Sequence, residues 1–178
     1  MEEQVILVDQ EDQQIGTMEK MEAHRLGLLH RAFSLFIFNS KGELLLQQRA
    51  LNKYHSPGLW TNTCCSHPRP GEKTLAAAHR RLNEEMGMEC GLEYGFHFTY
   101  KASFGNALTE HEYDHVFFGL SDTLPLPNAL EVVSFKYVNL EALKKDLQHH
   151  PDNYSAWLNI CFNKMVEFKD KVYGFMDN

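Results

Sequence analysis

A helical stretch, Thr74–Met86, stands between two groups of strand-forming runs, and that order limits the folds open to this chain. Thr74 offers an N-cap and Gly87 a C-terminal stop. Before the helix, Val5–Asp9 and Ile15–Met18 read as a short strand pair around a polar turn, and Glu19–Leu29 has no clear pattern. Arg31–Asn39 and Glu43–Arg49 are apolar, aromatic and β-branched runs joined by Asn39-Ser40-Lys41-Gly42, a hairpin signal, and Trp60–Thr63 is a further short strand. After the helix, Glu93–Ser103 and Glu110–Leu120 read as strands joined by Phe104-Gly105-Asn106, with Glu131–Asn139 as another. Leu140–His149 and Ser155–Tyr173 read as helices around the breaker Pro151. Strands on both sides of a central helix, with more helix at the end, predict an α+β domain.

Composition narrows the function classes. The 178 residues can bury one sizeable core and are too few for two, so 1–178 is read as a single domain. No apolar run approaches the ~18 residues of a membrane span. A net charge of −7 argues against a nucleic-acid surface while leaving room for a local cationic pocket. Cys64, Cys65, Cys90 and Cys161 have neither disulfide-framework nor zinc-knuckle spacing and read as reduced thiols. The start Met1-Glu2-Glu3-Gln4 is opposite in sign to a secretory signal, and Met176-Asp177-Asn178 carries no targeting signal. A cytoplasmic protein is expected.

The run Trp60-Thr61-Asn62-Thr63-Cys64-Cys65-Ser66-His67-Pro68 carries the first chemical signal. In an extended chain Cys65 and His67 point to one face and Cys64 to the other. Pro68, Pro70 and Gly71 then fix the exit toward the helix, whose Arg80, Arg81, Glu84 and Glu85 fall in its last two turns. On spacing alone that charged face is a solvated set of ion pairs, with Arg81 and Glu85 one turn apart.

From Ser66 onward the spacing is Ser66-x5-Glu72-x7-Arg80-Arg81-Leu82-x-Glu84-Glu85-x-Gly87. It resembles the Nudix box, with Ser66 in place of the first glycine and Arg81 in place of a metal-collecting glutamate. An arginine there repels magnesium and attracts phosphate. Further segments carry the resemblance to one branch: Leu28-Leu29-His30-Arg31-Ala32-Phe33-Ser34, Gln48-Arg49-Ala50, Pro57-Gly58-Leu59-Trp60-Thr61-Asn62, Cys65-x-His67-Pro68 and Glu110-His111-Glu112. Together they are similar to the metal-dependent, Nudix-fold isopentenyl-diphosphate isomerases over most of the chain, ending near Trp157. Any one motif is weak; their order makes chance unconvincing.

The resemblance implies a Nudix-like fold with a mixed central β-sheet flanked by helices, and a metal site of His24, His30, His67, Glu110 and Glu112, with Cys65 counted among the metal residues. Glu110 and Glu112 share a strand face and His111 turns away. Three imidazoles suit a borderline metal, and Mn2+, Zn2+ and Mg2+ all remain open. Arg49, Lys53 and Arg81 are the implied diphosphate contacts, since the guanidinium fork matches phosphate oxygens. Glu85 is the implied ligand of a Mg2+ bridging to the diphosphate.

The implied reaction moves the double bond of isopentenyl diphosphate to give dimethylallyl diphosphate, by protonation at C4 and deprotonation at C2. Glu112, with Tyr100 relaying, is expected to protonate C4, Cys65 to accept from C2, and Trp157 to stabilise the cation through its π face. The partner is a small-molecule diphosphate, with no nucleic acid or membrane, and the chain is expected to be a monomer or weak dimer. Two other readings compete. A Nudix hydrolase has no evident need of Cys65 and His67 and would want a carboxylate at position 81. A non-catalytic metal or phosphate module would not need an acid–base pair.

Overall fold

The structure is a computed structural model that describes residues 3–104 and 107–173. Gly105 and Asn106 of the expected Phe104-Gly105-Asn106 connection lie outside the described residues. The elements are β1 (Gln4–Val8), β2 (Gln14–Glu19), α1 (Lys20–Leu26), β3 (His30–Phe38), β4 (Leu44–Arg49), β5 (Trp60–Thr61) and β6 (Cys64–Ser66). They continue with α2 (Thr74–Met86), β7 (Leu92–Ser103), β8 (Thr109–Leu120), β9 (Val132–Val138), α3 (Leu140–His149) and α4 (Ala156–Tyr173). The strands form a mixed, nine-stranded sheet, so the expected α+β fold is the one observed.

β3 organises the sheet. It runs parallel to β8 from His30↔Glu112 to Phe38↔Leu120 and antiparallel to β6 at Ser34↔Cys65. A strand covered on both faces must be apolar on both, and β3 is buried at nearly every position. Phe33, Leu35 and Ile37 pack toward Ala77, Ala78, Leu82 and Met86 of α2. Phe36 and Phe38 join Val116 and Phe118 of β8 against Leu158, Phe162 and Met165 of α4. The alternation of period two thus holds a helix on each face. It also puts Glu110, Glu112, Asp114 and Val116 of β8 on the α4 side of the sheet.

Three local expectations need correction. The turn Asn39–Gly42 forms, but β3 and β4 share only the pair Phe38↔Leu44. Beyond it β3 takes β6 and β8 as partners, while β4 takes β5 and β9. Thr74 is the first residue inside α2 rather than its cap: the Lys73 carbonyl accepts from Ala77 at 3.0 Å, and no side chain caps the end. Third, the strand expected at Trp60–Thr63 stops at Thr61 because side chains replace its ladder. Asn62 donates to the carbonyls of Leu35 and Cys64, and Thr63 Oγ1 donates to Leu45 at 2.7 Å while accepting from Ile37.

The unpatterned stretch Glu19–Leu29 becomes α1, a seven-residue helix. So short a helix needs its ends held. The Glu19 carboxylate accepts from the amides of Met21 and Glu22, each at 2.8 Å, and Gly27 closes the helix at φ +62°. Among the described residues no helix is long and apolar enough to cross a membrane.

Candidate active site

The ladders place Tyr100 of β7 opposite Glu112 of β8, and Glu112 beside His30 of β3. Cross-strand partners point to the same side, so these three form a row across one face of the sheet. α1 brings in His24, and the chain just past β6 brings in His67, both buried. Nδ1 of His24 meets the Lys20 carbonyl at 2.7 Å, and Nδ1 of His30 meets the Leu28 carbonyl at 2.8 Å. A carbonyl only accepts, so each Nδ1 carries the hydrogen and each Nε2 keeps its lone pair. Both Nε2 atoms are buried and without a partner. His67 Nε2 lies 2.9 Å from Glu112 Oε1, and His30 Nε2 lies 3.6 Å from the same oxygen.

One donor atom from each of His24, His30, His67 and Glu112 falls within 4.8 Å of all the others. Metal–nitrogen and metal–oxygen bonds of about 2.1 Å put opposed ligands roughly 4.2 Å apart, so this set fits a divalent ion after small adjustments. Burial, and then repulsion from His67 and His30, pushes His24 down to about 3, leaving a neutral imidazole. Burial also lowers His67, outweighing its bond to Glu112. Burial works against the charged form of His30 too, but the Glu112 carboxylate more than offsets it and raises that group. Burial would raise Glu112; the His30 imidazole nearby and the hydrogen bond with His67 hold it well below the usual carboxylate range instead.

Glu110 and Cys65 do not converge with those four donors. Glu110 sits two residues before Glu112 on β8, past the end of the β3 ladder, and meets a different histidine. His55 Nε2 lies 2.7 Å from Glu110 Oε1, and His24, His55 and Glu110 form a second converging group. Cys65 stands opposite Ser34, four residues along β3 from His30, which is about 13 Å of strand. It lines the same pocket as His67, Tyr100 and Glu112. Burial pushes its thiol well up, Arg49 opposes this, and the carboxylates of Glu85, Glu110 and Glu112 add to the rise. Cys64 faces the other way, into the core under α2. All four cysteines are free thiols.

Tyr100 joins the two carboxylates. Its hydroxyl is 2.7 Å from Glu110 Oε2 and 2.7 Å from Glu112 Oε2. One hydroxyl has one hydrogen, so it donates to only one carboxylate at a time and links them as a proton bridge. Trp157, from the first turn of α4, is buried and lines the same pocket. Its Nε1 donates to Asn62 Oδ1 at 3.0 Å, and the Arg49 guanidinium carbon lies 5.3 Å from its ring centre.

The pocket also holds cations paired with carboxylates. Arg81 donates to Glu85 at 2.5 Å and to Glu84 at 2.8 Å and lies 3.5 Å from Glu131, which also contacts Lys53. Burial would lower the Arg81 guanidinium, but the carboxylates of Glu85 and Glu131 raise it. Gln47 holds Glu85 from the other side at 2.8 Å. The Nε atoms of Arg49 and Arg81 are buried without partners, as donors awaiting an anion would be. Arg80 does not line this pocket; it donates twice to Glu72, at 2.8 Å each.

Every residue expected at the site lines this pocket or its histidine cluster. Sequence reasoning missed His55, Tyr54, Glu131, Gln47 and the Glu3–Lys20 pair, whose ammonium and carboxylate lie 2.5 Å apart at the pocket edge. None of these lies in a motif, and only the fold reveals them.

Residues 28–158 match the NUDIX domain family. "Isopentenyl-diphosphate Delta-isomerase 2" of Aromatoleum aromaticum is 52% identical over 166 residues, covering 93% of this chain and 88% of its own. "Isopentenyl-diphosphate Delta-isomerase" of Pectobacterium atrosepticum is 50% identical over 93% of this chain and 92% of its own. The crystal structure of DR0079 from Deinococcus radiodurans shares the fold at a TM-score of 0.77, with 20% identity, over 91% of this chain and 98% of that one.

Proposed function

We infer that this chain, which belongs to the Nudix family and within it to the isopentenyl-diphosphate Delta-isomerases, converts isopentenyl diphosphate to dimethylallyl diphosphate. The observation that carries this is the meeting, in one buried pocket, of the Cys65 thiol, the Tyr100–Glu112 pair and the unpartnered guanidinium nitrogens of Arg49 and Arg81. An acid, a base and anion donors lining one pocket fit an alkenyl diphosphate. A hydrolase needs its chemistry at the phosphate end, where this chain has Arg81.

The residues divide the work as follows. Arg49, Lys53 and Arg81 bind the diphosphate and fix the alkenyl tail toward the histidine end. Glu112, with Tyr100 bridging to it, gives a proton to C4, and Cys65 takes one from C2. As reference groups a carboxylic acid is stronger than a thiol by about four pKa units; the resting site holds Glu112 ionised and the Cys65 thiol neutral, so the step starts from the state in which that proton has moved to Glu112. The Trp157 ring faces the tertiary cation formed between these steps. Its bond to Asn62 fixes the ring plane. His24, His30, His67 and Glu112, with Glu110 alongside, would hold Mn2+, Zn2+ or Mg2+, and Glu85 a Mg2+; bound there, the ions order the carboxylates and neutralise diphosphate charge.

The same reading makes residues 1–178 one domain, since a single sheet links the described strands from β1 to β9. It gives a cytoplasmic enzyme, monomeric or weakly dimeric, whose partner is the small-molecule diphosphate rather than nucleic acid or membrane. The charge of −7 and the four free thiols support this.

The test is incubation of purified protein with isopentenyl diphosphate, Mg2+ and Mn2+, following the acid-labile dimethylallyl isomer. Isomer without phosphate release is expected. Release of phosphate or cleavage of nucleoside diphosphates with no isomer would install the hydrolase reading, and tight binding with neither product the non-catalytic one.

A further inference from the structure

His55 belongs to no sequence motif, yet it is one of the most constrained side chains in the pocket. It lies in the loop between β4 and β5, and is 4% exposed. Its ring stacks on Phe104 at 5.0 Å and 14°, and meets Tyr54 edge-on at 4.4 Å and Trp157 edge-on at 5.8 Å. Three aromatic walls hold the ring plane. His55 Nε2 lies 2.7 Å from Glu110 Oε1, at ion-pair distance, and facing a carboxylate oxygen, which accepts, it is the hydrogen-bearing nitrogen of the ring.

That contact completes a chain across the site. His55 Nε2 lies against one Glu110 oxygen, Tyr100 joins the other to Glu112 Oε2, and Glu112 Oε1 reaches His67. His24 appears in both converging groups. Its Nδ1 is committed to the Lys20 carbonyl, so it has one lone pair, at Nε2, and can serve one ion. The second group is therefore not an independent seat for a second ion. It describes how Glu110 is held at the rim of the first.

We propose that His55 is a positioning residue for the metal site: by donating Nε2–H to Glu110 it aims that carboxylate and, through Tyr100, orders Glu112 against the histidines. The proposal rests on the reading of His24, His30, His67 and Glu112 as the metal seat. It goes beyond that reading in assigning the outer hydrogen bond to a residue on the loop that also carries Lys53. Arg49 donates to the His55 carbonyl at 3.2 Å, so that loop is tied to the diphosphate end as well. Partners of this kind hold ligand carboxylates in orientation, and losing one commonly weakens metal affinity by about 10- to 100-fold.

The experiment compares wild type, His55→Ala, His55→Gln and His67→Ala. Each is dialysed against limiting Mn2+ and analysed for bound metal, and each is titrated with Co2+ while the visible spectrum is recorded. Thermal melts of the metal-free proteins establish folding. His55→Ala is expected to bind about 10- to 100-fold more weakly. His55→Gln, whose amide also donates to a carboxylate, is expected to recover most of that loss with the wild-type Co2+ spectrum. Wild-type affinity in His55→Ala overturns the proposal. So does a His55→Gln protein that binds as weakly as His55→Ala with an altered Co2+ spectrum, because His55 would then be a ligand itself. If His55→Ala does not fold, His55→Gln alone decides on the same criterion. Full metal occupancy in His67→Ala would instead refute the metal seat, an outcome distinct from failure of the His55 proposal.

Discussion

Replacing Tyr100 by Phe removes one oxygen from the middle of the site and leaves the ring. The ring stacks on Phe98 at 5.5 Å and is 6% exposed, so packing is retained and no cavity larger than an oxygen is made. What is lost is a hydroxyl that stands 2.7 Å from two carboxylates. It has one hydrogen, so one charge-assisted bond is lost, not two, worth about 1.5–3 kcal/mol. If Tyr100 acts in the transition state with Glu112, that energy appears in the barrier at about 1.4 kcal/mol per tenfold. The expected loss in kcat is therefore roughly 10- to 150-fold. KM for isopentenyl diphosphate should hold within a few-fold, because Arg49, Lys53 and Arg81 are untouched. The assay is steady-state formation of dimethylallyl diphosphate at saturating Mg2+ and Mn2+, with bound metal measured on the same samples. A kcat within twofold of wild type would refute the proton bridge. A raised KM at constant kcat would move Tyr100 from the chemistry to substrate binding.

Cys65→Ser should nearly abolish isomerisation, whereas Cys64→Ser should keep most of it and melt lower, because its hydroxyl is buried in the apolar core under α2; equal activities would refute the assignment of the thiol. Chelator treatment should inactivate the enzyme, and Glu110→Ala and His67→Ala should both lose metal at limiting concentration; full occupancy in either removes that residue from the site. Glu131→Gln should lower KM severalfold, because this carboxylate holds Lys53 and Arg81 where the diphosphate must bind; an unchanged KM would mean these cations do not meet substrate. Trp157→Phe should retain more activity than Trp157→Ala, since a smaller ring keeps part of the cation attraction; two variants near wild-type activity would leave Trp157 a packing residue.

What could be read from the sequence was local in origin. The helix over 74–86 follows from periodicity and its glycine stop; a Cβ at Gly87 would approach the Leu126 carbonyl to 2.5 Å at φ +61°. Period-two alternation put Glu110 and Glu112 on one face and set Cys64 against Cys65. Pairing between distant segments was not readable, because no local signal records which strand a chain will meet. The turn at Asn39–Gly42 looked like a full hairpin, yet burying β3 on both faces required β8, whose matching residues lie about 80 positions away. That same parallel register sets His30 beside Glu112, and the β7–β8 ladder adds Tyr100 to the row. The site follows from this cross-strand register more than from any motif. His55 shows why: it is 55 residues from Glu110 in the chain, in a loop without periodicity, and only the folding of that loop against Phe104 and Trp157 turns its ring toward the carboxylate. A one-residue slip of β8 against β3 would turn Glu112 and Glu110 away and bring His111 inward. The core residues Val116 and Phe118 on the same strand oppose such a slip, since it would move them off the α4 face as well. The hydrophobic register of β8 is therefore what keeps its carboxylates aimed into the pocket.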